Sequence, residues 1–267
     1  MLVDGHMHLE YGKLSVAYVL EFVEAAQAKG IDKIQILDHT HRFKEFSPIY
    51  DNLRTIPVQK QWLANPKLKF KNSLAEYWDL IQQVKSLDLP IEVSFGLEVC
   101  YVPEYEDKIR EILKPYQFDF LVGAVHSIDG ILYDMSFSKE ILWDKYATNQ
   151  IYKRYYELLF EVVKSNLFTQ LAHPDTIKLF NYYPDYDLQP TYDELAELCK
   201  QHHVLAECNT GCHYRYNHKD IGLSDDLLQT FVKHNVQLIT ASDAHQPKHV
   251  GNYILEASER IATLKRK

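Results

Sequence analysis

Short apolar runs alternate with stretches of helical periodicity along most of the chain. The opening run carries His6 and His8 two residues apart, and strand alternation puts them on one face at its end. Ser15 then stands as an N-cap before Val16, Val19, Leu20, Val23 and Ala26 at helical spacing, with Gly30 to stop the helix. Lys33 to Leu37 reads as a second strand ending at Asp38-His39. From about 40 to 72 the rhythm breaks. Pro48, Pro57 and Pro66 punctuate mixed polar and aromatic residues there, and an excursion of that length is often functional when it sits beside a site.

The alternation resumes at Ser73-Leu74-Ala75-Glu76, a capping-box pattern that opens a helix to about Leu87. A third strand runs from Ile91 to Leu97, with Glu98 just after it, and a helix follows Pro103 to about Leu113. Phe118 to Val125 is a fourth strand ending at His126, and 149–166 an amphipathic helix. Phe168 to Ala172 is a fifth strand ending at His173-Pro174-Asp175, and Thr191 to Glu194 repeats the capping-box pattern. Val204 to Cys208 is a sixth strand, and Ser224 is expected to cap the helix before the last strand, which ends in Ser242-Asp243-Ala244-His245. Strands alternating with helices predict a mainly parallel sheet.

Composition bounds this picture. A chain of 267 residues, 46% hydrophobic, can bury a sizeable core, and we read 1–267 as one domain. It shows neither a signal-peptide pattern nor an apolar run of about 18 residues, so no membrane partner is expected. Cys100, Cys199, Cys208 and Cys212 lack CxxC spacing, and a reducing cytoplasm is the expected compartment. The formal charge of -8 argues against nucleic acid as a partner. The basic clusters Lys67-Leu68-Lys69-Phe70-Lys71 and Lys265-Arg266-Lys267 read as solvated surface, and the sequence sets no expectation for oligomeric state.

The candidate chemistry lies in position. His6, His8, His39, Glu98, His126, His173, Asp243 and His245 all follow strand ends, which share one rim in a (β/α) barrel. An open doubly wound sheet would bring the first and last strands together less easily. Imidazoles beside carboxylates suit zinc, manganese or iron. A carboxylate after an apolar strand, as at Glu98, needs a cation or a partner. Glu10 either joins the ligands or merely extends the first strand, and Asp4 and Asp38 are placed to orient imidazoles. His202, His203, His218, His234 and His249 read as structural.

Seven motifs carry a resemblance: Asp4-Gly5-His6-Met7-His8, Leu37-Asp38-His39, Gly96-Leu97-Glu98, His126-Ser127, His173-Pro174-Asp175, Glu207-Cys208-Asn209-Thr210 and Ser242-Asp243-Ala244-His245. In this order they are similar to the polymerase-and-histidinol-phosphatase (PHP) superfamily, and within it to the histidinol-phosphatase group. The resemblance implies a distorted, TIM-like (β/α)7 barrel holding two to three divalent metal ions. By motif, His6, His8, Glu98 and Asp243 would hold one ion, and Glu98, His126 and His173 a second, with Glu98 bridging. His39 and His245 would hold a third. Family members supply its remaining protein ligand where this chain has Gly12, Lys13 and Leu14, so Glu10 is taken as the substitute.

Two divalent ions outweigh the charges of Glu98 and Asp243, and a phosphomonoester dianion suits the surplus. Such ions lower the pKa of water to about 7 and polarise phosphoryl oxygens. Glu98, Asp243 and His245 are the expected catalytic residues, with His41 and His213 further candidates for the general acid. Arg42, Asn209, His213 and Arg215 are the expected substrate-binding residues, since a guanidinium offers a planar fork to phosphate oxygens. The resemblance implies hydrolysis of a small phosphorylated substrate, first of all L-histidinol phosphate in histidine biosynthesis. Another small phosphomonoester, C–N hydrolysis of the amidohydrolase kind and a non-enzymatic scaffold stand as alternatives; a nuclease would need a basic groove.

Overall fold

The computed structural model describes residues 1–266. Its strands are β1 (Val3–His8), β2 (Lys33–Leu37), β3 (Glu92–Cys100), β4 (Phe120–Ala124), β5 (Ser127–Ile128), β6 (Ile131–Leu132), β7 (Gln170–Leu171), β8 (Leu205–Asn209) and β9 (Leu238–Ala241). Seven of them form one sheet in the order β1-β2-β3-β4-β7-β8-β9, with every described pairing parallel, while β5 and β6 make a small antiparallel hairpin after β4. The ends of the sheet meet. Met7 bridges Ala244 in parallel, and the His8 N–H donates to the Ala244 carbonyl at 2.7 Å. This is the expected distorted seven-stranded α/β barrel.

Buried Asp4 helps to hold that seam, which corrects its expected role. Its carboxylate accepts from the Ser242 N–H at 2.8 Å, the Ser242 hydroxyl at 2.6 Å and the Gly251 N–H at 2.8 Å, not from an imidazole. The bonds fix the start of the loop that carries Asp243 and His245. Between Asp4 and Met7 the register of β1 against β2 slips, so that three steps on β1 match two on β2. Such a bulge re-aims side chains, and it does so beside His6.

Helices α1 (Val16–Ala28), α2 (Pro57–Leu63), α3 (Leu74–Lys85), α4 (Glu106–Leu113), α5 (Thr148–Lys164), α6 (Gln189–Gln201), α7 (Gly211–Tyr216), α8 (Asp225–Lys233) and α9 (Ile254–Lys265) complete the fold. Local chemistry sets several of their ends. Ser15 caps α1 through the Tyr18 N–H, and Ser73 and Glu76 form the reciprocal capping box of α3. The pattern at Thr191 is not a start: α6 begins at Gln189, because Pro190 fits a first turn that needs no N–H there. Ser224 takes the N-cap position of α8, but its hydroxyl makes no capping bond.

The excursion folds into 3-10 turns over Thr40–Arg42 and Lys44–Thr55 followed by α2. It buries Phe46, Ile49, Tyr50, Leu53 and Leu63. Gln59 staples it to the hairpin: its amide donates to the Gly130 carbonyl at 2.9 Å and accepts from the Leu132 N–H at 2.7 Å. The segment is thereby a packed wall beside the rim.

Candidate metal centre

The strand ends converge on one carboxylate. Glu98, in β3, is fully buried. Its Oε1 lies 3.0 Å from Nε2 of both His126 and His173, which follow β4 and β7. Its Oε2 lies 2.6 Å from His39 Nδ1, after β2, and 3.4 and 3.5 Å from Nε2 of His6 and His8 in β1. Asp243, after β9, brings Oδ1 to 3.3 Å from His8 Nε2 and 3.9 Å from His6 Nε2. The backbone is bent to make these approaches: His173 and Asp243 have φ of 27° and 56°. Left-handed conformations cost a non-glycine residue about 1 kcal/mol or more, and they collect at functional sites.

Two observations test whether a divalent cation fits. His6 Nδ1 donates to Glu207 Oε1 at 2.8 Å, so the neutral ring carries its lone pair on Nε2, only 2.8 Å from His8 Nε2. Glu98 Oε2, completely buried, has nitrogens of His39, His6 and His8 within 3.5 Å, yet none is directed at it as a hydrogen bond. Facing nitrogens beside an unsatisfied carboxylate oxygen match the donor set of an ion bound at about 2.0–2.2 Å. The residues fit the cation.

The electrostatics agree. Burial alone would raise Glu98, but the imidazoles of His39, His6 and His126 hold it well below the usual carboxylate range. Burial likewise opposes Asp243, and the Arg215 guanidinium with His8 and His245 holds it low. Burial, reinforced by His39 and His245, drives His8 well below an ordinary imidazole, and burial takes His245 down to about 4. His6 and His126 go the other way: burial lowers them, but Glu207 and Glu98 raise His6, and Glu98 and Asp134 raise His126. A metal ion binding between these groups displaces their protons.

Glu10 stands at the edge of the cluster, with Oε1 3.2 Å from His245 Nε2 and Oε2 4.0 Å from His41 Nε2. Burial opposes its charge, yet His39 and His245 hold it below the usual range. Donor atoms of Glu10, His39 and His41 converge to within 4.8 Å of one another, as do those of His8, His39 and His245.

Behind the ligands stand carboxylates that sequence reasoning left without a role. Glu207 in β8 accepts from His6 Nδ1, from Gln170 Nε2 at 2.7 Å, from the His173 N–H at 3.1 Å and from Asn209 Nδ2 at 3.0 Å. It thus orients the His6 imidazole and holds the backbone of His173. Asp134 accepts from His126 Nδ1 at 2.9 Å. Its place after a hairpin gave no sequence signal, whereas the motif around Glu207 was visible. Asp38 does not take the expected imidazole proton: its Oδ1 lies 3.8 Å from His8 Nδ1, beyond hydrogen-bond reach, while its Oδ2 accepts from Arg42 NH1 at 2.7 Å.

A cavity of about 330 Å³ opens over this centre, lined by Glu10, His39, His126, His173, Asp243 and His245 on its polar floor. Trp62, Leu68, Met135, Leu179, Tyr11 and Tyr216 supply its apolar and aromatic walls. The predicted substrate residues divide. Arg215 lines the cavity, 3.3 Å from Asp243 Oδ2. Asn209 also lines it, but its amide is held between Glu207 and the Gly211 N–H, 2.9 Å from Oδ1. Arg42 does not reach it. Its guanidinium is buried, with NH1 2.7 Å from Asp38 Oδ2, Nε 3.0 Å from Asn72 Oδ1 and NH2 3.1 Å from the Gly12 carbonyl, so each of its nitrogens is engaged by a protein partner away from the cavity. His213 also points elsewhere, donating through Nδ1 to the His218 carbonyl at 2.7 Å with its ring against Tyr253.

The expectation of a solvated Lys67–Lys71 cluster fails at Lys69, which is 7% exposed and lines the cavity. Its Nζ donates to His41 Nε2 at 2.8 Å and lies 3.7 Å from the centre of the Trp62 ring. An ammonium can only donate, so His41 is a neutral acceptor there; burial and Lys69 both lower it. Burial brings Lys69 itself down to about 8, against the pull of Glu10 and Asp134.

A parallel barrel with imidazoles and carboxylates gathered at the C-terminal rim defines an α/β protein whose donor set fits divalent metal. Residues 4–211 match the PHP domain model, and the chain belongs to the PHP domain family. Over 97% of its length it is 24% identical to a Deinococcus radiodurans protein named "Probable histidinol-phosphatase", covering 92% of that protein. It is 22% identical to the histidinol-phosphatase of Bacillus subtilis, with 95% of this chain and 97% of the relative covered. The fold is also that of the histidinol phosphate phosphatase of Lactococcus lactis, solved with zinc, L-histidinol and phosphate. The TM-score is 0.70 at 20% identity, over 98% of this chain and 93% of that one. Among the described residues no helix is long and apolar enough to cross a membrane.

Proposed function

We propose that the protein is a divalent-metal-dependent phosphomonoester hydrolase whose substrate is L-histidinol phosphate. The observation that carries the reading is Glu98: a fully buried carboxylate with imidazole nitrogens of five histidines within 3.5 Å and one oxygen left without a hydrogen bond. His6, His8, Glu98 and Asp243 would hold one ion, Glu98, His126 and His173 a second, and His39, His245 and Glu10 a third. When bound, the ions supply an activated water and Lewis-acid polarisation of the phosphoryl group. The chain's own residues do the rest. Glu207 and Asp134 fix the imidazole orientations, and Arg215 offers a guanidinium to the phosphoryl oxygens. The leaving alcohol faces the aromatic wall of Tyr11, Tyr216 and Trp62, a surface suited to a flat ring such as imidazole. The curated relatives named above, which match this chain nearly end to end, support the choice of ester.

The test is a comparison of kcat/KM for L-histidinol phosphate and a panel of small phosphomonoesters after loading with zinc or manganese, with a chelator control. The reading expects metal-dependent phosphate release with histidinol phosphate preferred. A better ester would move the substrate assignment, and no hydrolysis of any phosphomonoester by the loaded protein would overturn the activity.

A further inference from the structure

The buried cations of this chain differ in one respect. Arg42 is paired with Asp38 at 2.7 Å, Lys178 with Asp175 at 2.8 Å and Asp220 at 3.0 Å, and Arg215 with Asp243 at 3.3 Å. Lys69 has instead a neutral imidazole nitrogen and an indole face, and among the described residues no carboxylate oxygen comes within ion-pairing distance of it. Burying an ammonium without a counter-ion is costly. Yet the structure around it is built: Lys69 N–H donates to the Asn65 carbonyl at 2.8 Å, the Phe70 N–H to the His41 carbonyl at 2.7 Å, and Lys71 Nζ to the Glu10 carbonyl at 2.7 Å. The turn carrying Lys69 is thus closed on itself at Asn65 and pinned to the rim through Phe70 and Lys71.

We infer that Lys69 is a phosphate-binding residue: its ammonium is a preset charge in the cavity wall that takes one oxygen of the substrate's phosphoryl group as its missing counter-ion. The inference rests on the phosphomonoester reading and adds a binding group to it. Lys69 comes from the segment after β2 and Arg215 from α7 after β8, so the two cations reach the cavity from segments flanking the β9–β1 seam. Ions held by the floor residues would bind a phosphoryl group from that side, and an oxygen directed away from them would need a donor of this kind. Trp62 and His41 keep the ammonium aimed. The indole face tolerates a cation without neutralising it, and an imidazole accepts one of its three protons and leaves two.

The test reads binding and turnover separately on the metal-loaded protein. Inorganic phosphate is titrated as an inhibitor and by direct calorimetry, and L-histidinol is titrated in parallel, with Lys69→Met, Lys69→Gln and Lys69→Arg beside wild type. Phosphate affinity is expected to fall about ten- to hundredfold in the Met and Gln variants, the usual worth of one charge-assisted bond. L-Histidinol affinity and metal content should stay within twofold, and Lys69→Arg should recover most of the loss. Phosphate affinity within twofold of wild type in either neutral variant would overturn the inference. If neither neutral variant folds, phosphate added to wild type should change the emission of Trp62, against a Trp62→Phe control; no change then overturns it. Absence of turnover in wild type counts against the proposed function, whereas unchanged phosphate binding counts against Lys69.

Discussion

Arg42 and Lys69 stand near the two ends of one excursion, and the chain uses them in opposite ways. Each nitrogen of Arg42 is engaged, by Asp38, Asn72 and the Gly12 carbonyl, so it fastens the segment to the end of β2. Lys69 meets an imidazole and an indole and keeps protons to give. From sequence the ranking is reversed, since Arg42 follows His39 on the rim while Lys69 sits in what looks like a surface cluster. Proximity to a ligand in sequence therefore predicts less than where the side chain is directed. A buried cation drawn away from the cavity by its partners is part of the scaffold, and one that lines the cavity with protons to give is available to an anion.

The largest expected effect sets the reference for both regions. Glu98→Gln should lower turnover by about three orders of magnitude or more, because an amide cannot balance charge shared among five histidine ligands, and several kcal/mol of electrostatic stabilisation are lost. Elemental analysis should show depleted metal. Full metal with wild-type rate would remove Glu98 from the centre. Next comes Arg42→Met, which leaves Asp38 buried and unpaired and should cost about 3–5 kcal/mol of stability in urea unfolding. The folded fraction should bind inorganic phosphate within a few-fold of wild type. A phosphate-binding defect without a stability loss would reverse the contrast drawn between Arg42 and Lys69.

Arg215→Ala tests the other cation at the cavity. It should cut kcat/KM by about 1.5–3 kcal/mol, the range for a charge-assisted bond, with metal content intact. Kinetics within twofold of wild type would return Arg215 to the service of Asp243 alone, its 3.3 Å partner.

The barrel was legible because its strands alternate with helices whose ends carry local signals, such as Ser15, Ser73 and Gly30. The ligands were legible because strand ends share a rim, so position along the chain stood in for position in space. What failed was whatever depended on a partner distant in sequence. Asp4 looked like an imidazole partner but meets Ser242 and Gly251, 238 and 247 residues away. His213 looked aimed at substrate, but α7 turns it to the His218 carbonyl. Asp134 and Lys69 lie in segments without periodicity, where neighbouring residues do not reveal burial. Thr191 misled for a local reason, since the Pro190 before it starts the helix earlier.

Glu10 is where rim and excursion meet, and it gives the smallest and most discriminating effect. Its Oε1 faces His245 at 3.2 Å, its Oε2 faces His41 at 4.0 Å, and its backbone carbonyl accepts from Lys71 of the excursion. It can serve the metal centre as a ligand or serve Lys69 as a distant counter-charge, and the two roles give opposite signs in a phosphate titration. As a ligand, Glu10→Ala should lower metal stoichiometry by one ion, weaken phosphate binding and reduce kcat/KM by about tenfold, or about 1.4 kcal/mol. As a counter-charge it repels phosphate, so its removal should leave the metal count unchanged and tighten phosphate binding. Glu10→Gln keeps the shape without the charge and should follow Ala in either case. We expect the first pattern, because His39 and His245 hold Glu10 ionised against its burial more strongly than Lys69 does. Unchanged stoichiometry with tighter phosphate would assign Glu10 to the excursion's wall and leave the third ion without a carboxylate from the turn after β1.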